Sequence, residues 1–140
     1  MNLNEIHKDI FTVDKTYHLA HCIASDFRMG AGIAVKFQNR FKLREKLNNT
    51  TSYTNPGTCV LIGKVFNLIT KKKSSGKPTY ESLESSLLNM KTLVEFYNIK
   101  KIAMPKIGCG LDRLSWGRVK EMIFEIFEEL DVEILVCNWR

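Results

Sequence analysis

The segment PKIGCGLDRL, Pro105–Leu114, lies between a short apolar run, Lys101–Met104, and a long amphipathic segment that begins near Ser115. The apolar run predicts a strand, and the amphipathic segment predicts a helix. Proline ends the strand, and two glycines one residue apart allow backbone conformations that a side chain forbids. A strand, a glycine loop and a helix in this order direct backbone N–H groups towards an anion. The segment therefore predicts an anion-binding loop in an α/β protein.

The carboxylate of Asp112 lies inside this predicted loop. A negative charge beside an anion site repels the anion, so Asp112 makes more sense as a reacting group than as a phosphate ligand. The alternative is a tight turn in which Asp112 only caps the following helix. A lone Gly-x-Gly motif does not decide between the two, because such short motifs occur often by chance.

The composition is that of one soluble globular domain spanning residues 1–140, with 44% apolar and 26% charged residues. No apolar run approaches the roughly 18 residues of a membrane span, and no signal-peptide pattern is visible. Four cysteines without a Cys-x-x-Cys pair predict reduced thiols, no metal site and a cytoplasmic protein, or a nuclear one in a eukaryote. The net charge of +6 suits a partner that carries phosphates.

Strand and helix patterns alternate along the chain, which predicts a three-layer α/β/α domain around a mixed sheet. The predicted strands are a first one within Glu5–Phe11 that ends at Asp9, then Tyr17–Ile23, Thr58–Ile62, Val65–Lys71, Lys101–Met104 and Val132–Cys137. Predicted helices run from Ile33 to about Asn48, from Pro78-Thr79 through Tyr97, and from about Ser115 to Leu130, and the polar segment Asn48–Gly57 predicts a loop.

A second glycine loop, Arg28–Gly32, leads directly into the helix at Ile33. Two such loops, each following a buried strand, suit a ligand with two phosphates better than either loop alone. The alternative is that both glycine pairs only allow close packing of a strand on a helix.

Three consecutive lysines, Lys71–Lys73, end the predicted strand Val65–Lys71. A lysine run usually forms a solvated surface, but strand alternation separates its members. Lys71 shares a face with Asn67 and Ile69, whereas Lys72 belongs to the opposite face. Only one of these two lysines can therefore point into a given pocket.

Three segments together resemble one branch of the macrodomain family, the branch of the terminal ADP-ribose protein glycohydrolase. These segments are HCIASDFRMGAGIA (His21–Ala34), LITKK (Leu68–Lys72) with KPTY (Lys77–Tyr80), and MPKIGCGLDRLSW (Met104–Trp116). The resemblance runs in order from about Ile6 to the C-terminus. It implies a macrodomain fold and ADP-ribose as the recognised group.

By the family pattern, Lys71 is the nucleophile and Asp112 its acid–base partner. Asp9 and Ile10 lie at the adenine, and Trp139 stands where the family places an apolar residue against this base. The family pattern differs here in Lys8, where glycine is usual, and in Ala24, where serine is common. The remaining residues that the resemblance assigns to ADP-ribose are Ser25, Met29, Gly30, Ala31, Gly32, Ile33, Pro105, Lys106, Ile107, Gly108, Cys109, Gly110 and Leu111.

The function implied by the resemblance is an ADP-ribosyl hydrolase that removes mono-ADP-ribose from acidic protein side chains or from nucleobases. The expected partners are ADP-ribosylated protein or DNA, no membrane is involved, no cofactor is needed, and the protein acts as a monomer. A non-catalytic ADP-ribose reader and an O-acetyl-ADP-ribose deacetylase are the alternatives. The presence of both Lys71 and Asp112 favours catalysis, because a reader needs neither.

Overall fold

A computed structural model describes residues 1–51 and 54–139 of the chain. In this part of the chain six strands form one sheet in the order β1-β6-β5-β2-β4-β3. Strand β3 is antiparallel to β4, and every other neighbouring pair is parallel. The strands are β1 (Asn2–His7), β2 (His18–Ala24), β3 (Thr58–Ile62), β4 (Val65–Lys71), β5 (Lys101–Met104) and β6 (Glu133–Asn138).

Helices cover both faces of this sheet. Among the described residues they are α1 (Ile33–Phe41), α2 (Leu43–Thr50), α3 (Tyr80–Phe96) and α4 (Trp116–Phe127), with a short 3-10 helix at Ile10–Thr12. One apolar core joins the sheet to α3 and α4, and a second joins the other face to α1, α2 and the 3-10 helix. The predicted three-layer α/β/α architecture with a mixed sheet is confirmed.

The parallel strands bring their carboxyl ends to one edge of the sheet. The loops that follow β1, β2, β4 and β5 therefore meet there, beside the end of β6, as ligand-binding loops do in open α/β sheets. Both predicted glycine loops and Lys71 belong to this edge.

Several predicted boundaries were wrong. The first strand ends at His7 rather than Asp9, because Asp9 caps the 3-10 helix and accepts a hydrogen bond from the Phe11 N–H. The predicted loop at Asn48–Gly57 begins later, since α2 extends to Thr50. The part of that loop at residues 52–53 lies outside the described residues. The third helix was predicted to run through Tyr97, but α3 ends at Phe96, and Tyr97 is its C-cap with 56% exposure.

The single helix predicted from Ile33 to Asn48 is two helices that meet at Lys42. This residue has a φ of 53°, in the left-handed region, so the helix cannot continue through it. The buried Gln38 stabilises the break: its Oε1 accepts from the Arg44 N–H at 2.7 Å, and its Nε2 donates to Glu45 at 3.2 Å. Side-chain hydrogen bonds of this kind satisfy N–H groups that a helix start leaves free.

In the part of the chain that the structure describes, no helix combines the length and the apolar character needed to cross a membrane.

A fully buried histidine lies in the second core. The ring of His21 stacks on Phe37 with 4.0 Å between centroids, and its Nε2 lies 2.7 Å from Oδ1 of Asn67. Burial lowers the pKa of His21 to about 4, which outweighs the opposing effect of the hydrogen bond to Asn67. The imidazole is therefore neutral in the folded protein at pH 7.

Acid should destabilise the fold through this residue. Between pH 6.5 and about 4 the unfolded chain binds a proton at position 21 that the folded chain excludes, so stability falls as the pH decreases. The loss attributable to His21 should reach about 1.4 kcal/mol per pH unit in this window. Chemical denaturation at several pH values, for the wild type and for His21→Gln, measures it. Parallel pH profiles for the two proteins would contradict the assignment.

Candidate active site

A cavity of about 790 Å³ runs along the carboxyl edge of the sheet. Its wall is built from the loops that follow β1, β2, β4 and β5 and from the end of β6 with Trp139. Sheet order places the end of β1 four strand spacings from the end of β4, or about 19 Å at roughly 4.8 Å per spacing. The cavity therefore suits a long ligand that lies across the strand ends.

Lys71 and Asp112 meet in this cavity. The Lys71 Nζ donates to Asp112 Oδ1 at 2.6 Å, and the two side chains are only 15% and 16% exposed. Lys71 is the last residue of β4, whereas Asp112 belongs to the loop after β5. A lysine and a carboxylate in direct contact can exchange a proton, which is what activation of a lysine amine as a nucleophile requires.

The alternation of β4 is interrupted just before Lys71. Ile23 of β2 pairs with Ile69, but the next residue of β2 pairs with Lys71, so Thr70 is passed over. The strand alternation used to separate Lys71 from Lys72 is therefore not regular at this point. Lys71 nevertheless lines the cavity, and Lys72 is exposed outside it.

Both glycine loops form part of the cavity wall. One glycine in each loop has a backbone conformation that residues with a side chain rarely adopt. Gly32 has a φ of 62° and is the N-cap of α1 without a side-chain cap. Gly108 has a φ of 74°, and a Cβ there would lie 3.0 Å from Leu114. The start of α1 leaves N–H groups for an anion, and the helix dipole adds to the attraction.

Three loops are tied together around the cavity. Asp26, in the loop after β2, accepts from the Ser74 N–H at 2.9 Å and from the Ser74 hydroxyl at 2.8 Å. Lys77 donates to the Leu111 carbonyl at 3.0 Å. A Cβ at Gly32 would lie 3.3 Å from the Leu111 side chain, so the two glycine loops lie close to each other.

The opposite end of the cavity carries Asp9 and Trp139. Trp139 is 56% exposed, and its ring lies 5.0 Å from the ring of His7 between centroids. The exposed aromatic ring can stack on a planar base, and the carboxylate can accept a hydrogen bond from an amino group of that base.

Lysines outnumber carboxylates among the described residues that line the cavity. The lysines are Lys36, Lys71, Lys77 and Lys106, against Asp9 and Asp112. This charge balance favours an anionic ligand.

Cys109 lies in the glycine loop after β5, as predicted, and lines the cavity. Burial raises the pKa of its thiol to about 11, and the sulfur lies 3.2 Å from the Ile107 carbonyl. Burial and the charge of Asp112 likewise raise the pKa of Cys22 to about 12. Both thiols are therefore protonated at neutral pH, which argues against a cysteine nucleophile.

Nearly all residues predicted for the site line the cavity. Ser25 is the exception: its N–H donates to the Lys71 carbonyl at 2.9 Å, and its hydroxyl is buried with no partner among the described residues. The predicted residues that line the cavity are Asp9, Ile10, Met29, Gly30, Ala31, Gly32, Ile33, Lys71, Pro105, Lys106, Ile107, Gly108, Cys109, Gly110, Leu111, Asp112 and Trp139.

Sequence reasoning missed the wall formed by the loop Ser74–Lys77 and by the end of β2. The strand end could have been found, because every parallel strand contributes its carboxyl end to the same edge. The loop could not, since its basic and small residues are typical of a solvated surface.

The fold and this cavity define an α/β/α domain that binds an anionic ligand over the carboxyl ends of a mixed sheet. Residues 13–123 match the family model described as Macro domain. The chain is 46% identical over 130 residues to a human protein named ADP-ribose glycohydrolase OARD1, a match that covers 91% of this chain and 86% of that protein. The chain therefore belongs to the macrodomain family, as the resemblance implied.

Two further similarities are more distant. The chain is 28% identical over 127 residues to a Thermus aquaticus protein named DNA ADP-ribosyl glycohydrolase, covering 77% of this chain and 33% of that protein. The solved macrodomain of Mycobacterium tuberculosis DarG superposes with a TM-score of 0.86 at 21% identity and covers 97% of each chain. This last similarity supports the fold.

The Cys109 thiol should react slowly. Raising its pKa from 9.0 to about 11 lowers the thiolate fraction at pH 8 about 100-fold, so alkylation should slow by a similar factor. Mass spectrometry of iodoacetamide-treated protein measures the rate, and the same protein in denaturant supplies the reference rate for each cysteine. Equal rates at Cys109 in the native and the denatured protein would contradict this prediction.

Proposed function

We propose that the protein is an ADP-ribosyl hydrolase that removes mono-ADP-ribose from acidic protein side chains or from nucleobases. The observation that carries the proposal is the 2.6 Å contact of Lys71 Nζ with Asp112 Oδ1 inside the cavity. A domain that only binds ADP-ribose has no need of this pair.

The arrangement of the cavity supports ADP-ribose as the ligand. Asp9 and Trp139 follow β1 and β6 at one side of the sheet, where a planar base with an amino group fits. The glycine loops after β5 and β2 come next and suit a diphosphate. Lys71, at the end of β4, then lies on the side that the distal ribose reaches.

The names of the relatives agree with this assignment. The human relative is named an ADP-ribose glycohydrolase, and the Thermus aquaticus relative is named for ADP-ribosyl groups on DNA. The first relationship covers most of both chains, which supports a hydrolase in the present protein. The net charge of +6 is compatible with a nucleic-acid substrate as well as with a protein.

The reaction begins at C1″ of the distal ribose. Asp112 Oδ1 accepts a proton from the Lys71 ammonium, and the resulting amine forms a bond to C1″. For an ester-linked substrate, the C1″–O bond breaks and its electron pair leaves on the released carboxylate. Diphosphate binding in the glycine loops holds C1″ in place, so that interactions remote from the reacting atom contribute to catalysis.

Water completes the reaction. Once the first proton has passed to solvent, Asp112 accepts a proton from the attacking water. The bond between C1″ and Lys71 breaks, the amine is restored, and free ADP-ribose results. The carboxylate also stabilises the positive charge that develops on the ribose in both steps.

Three substrates separate the proposal from its alternatives: a protein carrying ADP-ribose on glutamate, DNA carrying ADP-ribose on a nucleobase, and O-acetyl-ADP-ribose. Release of labelled ADP-ribose from either macromolecule supports the hydrolase. Turnover of only the acetyl compound identifies a deacetylase. Binding of ADP-ribose without turnover of any substrate identifies a reader.

Asp112→Ala should retain ADP-ribose binding and lose turnover. General acid–base catalysis typically contributes a rate factor of ~10²–10⁴, so kcat should decrease by a factor of this size. Affinity should hold or rise, because the substitution removes a negative charge from the wall that binds the diphosphate. Calorimetry with ADP-ribose and an initial-rate assay measure the two effects.

The matched control is Asp131→Ala. This carboxylate is 97% exposed, pairs with Lys100 at 3.7 Å and precedes β6, on the edge of the sheet away from the cavity. The control should turn over at the wild-type rate. Full activity of Asp112→Ala would remove Asp112 from the mechanism.

A further inference from the structure

The first turns of α3 contact the strand that carries Lys71. The Ser82 hydroxyl donates to the Thr70 carbonyl at 2.7 Å, and the buried Ser86 hydroxyl donates to the Ile69 carbonyl at 2.8 Å. These carbonyls belong to the two residues that precede Lys71 in the chain. The start of α3 therefore fixes the backbone from which the Lys71 side chain extends.

The same part of the chain contacts the loop that carries Asp112, on both sides of it. Before Asp112, the Lys77 ammonium donates to the Leu111 carbonyl at 3.0 Å. After it, the Tyr80 hydroxyl accepts from the Ser115 N–H at 2.9 Å. The Arg118 guanidinium lies 3.7 Å from the centre of the Tyr80 ring and covers it.

Lys77 and Tyr80 are themselves held by a well-defined helix start. Thr79 is the N-cap of α3 and exchanges hydrogen bonds with Ser82, the Thr79 oxygen accepting at 3.0 Å and the Ser82 oxygen accepting at 3.1 Å. This reciprocal pair is a capping box, which fixes the direction in which the chain enters the helix. Tyr80 therefore extends from the first position of a well-defined helix, and Lys77 lies two residues before its N-cap.

The Asp112 loop needs such contacts from outside. Arg113 has a φ of 62°, a backbone conformation that residues other than glycine rarely adopt. It persists only where the surrounding structure enforces it. Within the loop, the Arg113 N–H donates to Gly110 at 3.2 Å, and the Leu114 N–H donates to Gly108 at 2.8 Å. The contacts from Lys77 and Tyr80 add one restraint on each side of Asp112.

We propose that Lys77 and Tyr80 are positioning residues that hold the Asp112 carboxylate at the Lys71 amine. The inference rests on the proposed function, in which this pair performs the reaction. Ser82 and Ser86 then position the strand end that carries Lys71, and Lys77 and Tyr80 position the loop that carries Asp112. One short segment at the start of α3 therefore sets the position of both reacting residues.

Single substitutions at the two positions should lower kcat more than they lower affinity. Tyr80→Phe removes the acceptor of the Ser115 N–H and keeps the ring under Arg118, and Lys77→Met removes the donor to Leu111. Because small misplacements of a reacting group cost up to about 100-fold, we expect kcat to fall about 10-fold in each variant. The dissociation constant of ADP-ribose, measured by calorimetry, should change less than about twofold in Tyr80→Phe. In Lys77→Met, which also removes one of the four cavity lysines, it should rise by a smaller factor than kcat falls.

Three comparison variants make the test specific. Tyr97→Phe, at the exposed end of α3, and Lys46→Met, exposed on α2, should both retain the wild-type kcat. Lys77→Arg keeps a donor at the same place and should recover most of the activity lost in Lys77→Met. Weaker ADP-ribose binding with unchanged kcat in Lys77→Met would overturn the proposal for Lys77 and identify a phosphate ligand instead.

A second readout does not require activity. Amide hydrogen exchange of Arg113 and Leu114, measured by NMR, reports on the loop at two N–H groups that neither Lys77 nor Tyr80 contacts directly. Exchange at both amides should accelerate in Tyr80→Phe and in Lys77→Met, and match the wild type in Tyr97→Phe. If wild-type protein turned over none of the three substrates, the proposed function would fail while exchange still tested the positioning of the loop. Unchanged exchange in both variants would overturn the proposal.

Discussion

The ion pair between Lys71 and Asp112 joins two segments that are 41 residues apart in sequence and that are not neighbours in the sheet. Strand β2 lies between β4, which carries the lysine, and β5, which precedes the aspartate. The two side chains are mostly buried, so each charge depends on the other for compensation. The contact requires that the end of β4 and the loop after β5 are both held in place. Hydrogen bonds from Ser82 and Ser86 hold the first, and hydrogen bonds with Lys77 and Tyr80 hold the second.

Parallel strand order explains why this pair and the anion-binding loops occupy one cavity. In the sheet order β5-β2-β4, the three carboxyl ends adjoin one another, with the glycine loops following β5 and β2 and Lys71 ending β4. A ligand that places its phosphates in the two loops therefore extends directly to the lysine. Binding energy gained at the phosphates is available to orient the sugar, which is how a small domain can fix one reacting carbon.

Much of this arrangement could be predicted from the sequence. The hairpin strands β3 and β4 and the strand β5 have the predicted bounds, because apolar runs bounded by turn residues determine them locally. Lys71 and Asp112 were found through the resemblance, and their placement in one cavity agrees with it. The break at Lys42 was not predictable, since it depends on the side chain of Gln38, which bonds across it to Arg44 and Glu45. Nor were the contacts of Lys77 and Tyr80 with the Asp112 loop, which join residues more than thirty positions apart.

The most direct test of the account is the location of the covalent intermediate. The protein is incubated with excess ADP-ribose, whose open-chain C1″ aldehyde condenses with the lysine amine and releases water, and borohydride reduces the resulting imine to a stable secondary amine. The protein is then digested and mapped by mass spectrometry, with Lys71→Ala as the control. Since Lys71 alone of the consecutive lysines Lys71–Lys73 lines the cavity and contacts Asp112, the reduced adduct should form on Lys71 and disappear in the variant. An adduct on Lys72, or full turnover by Lys71→Ala, would contradict the assignment of Lys71 as the nucleophile.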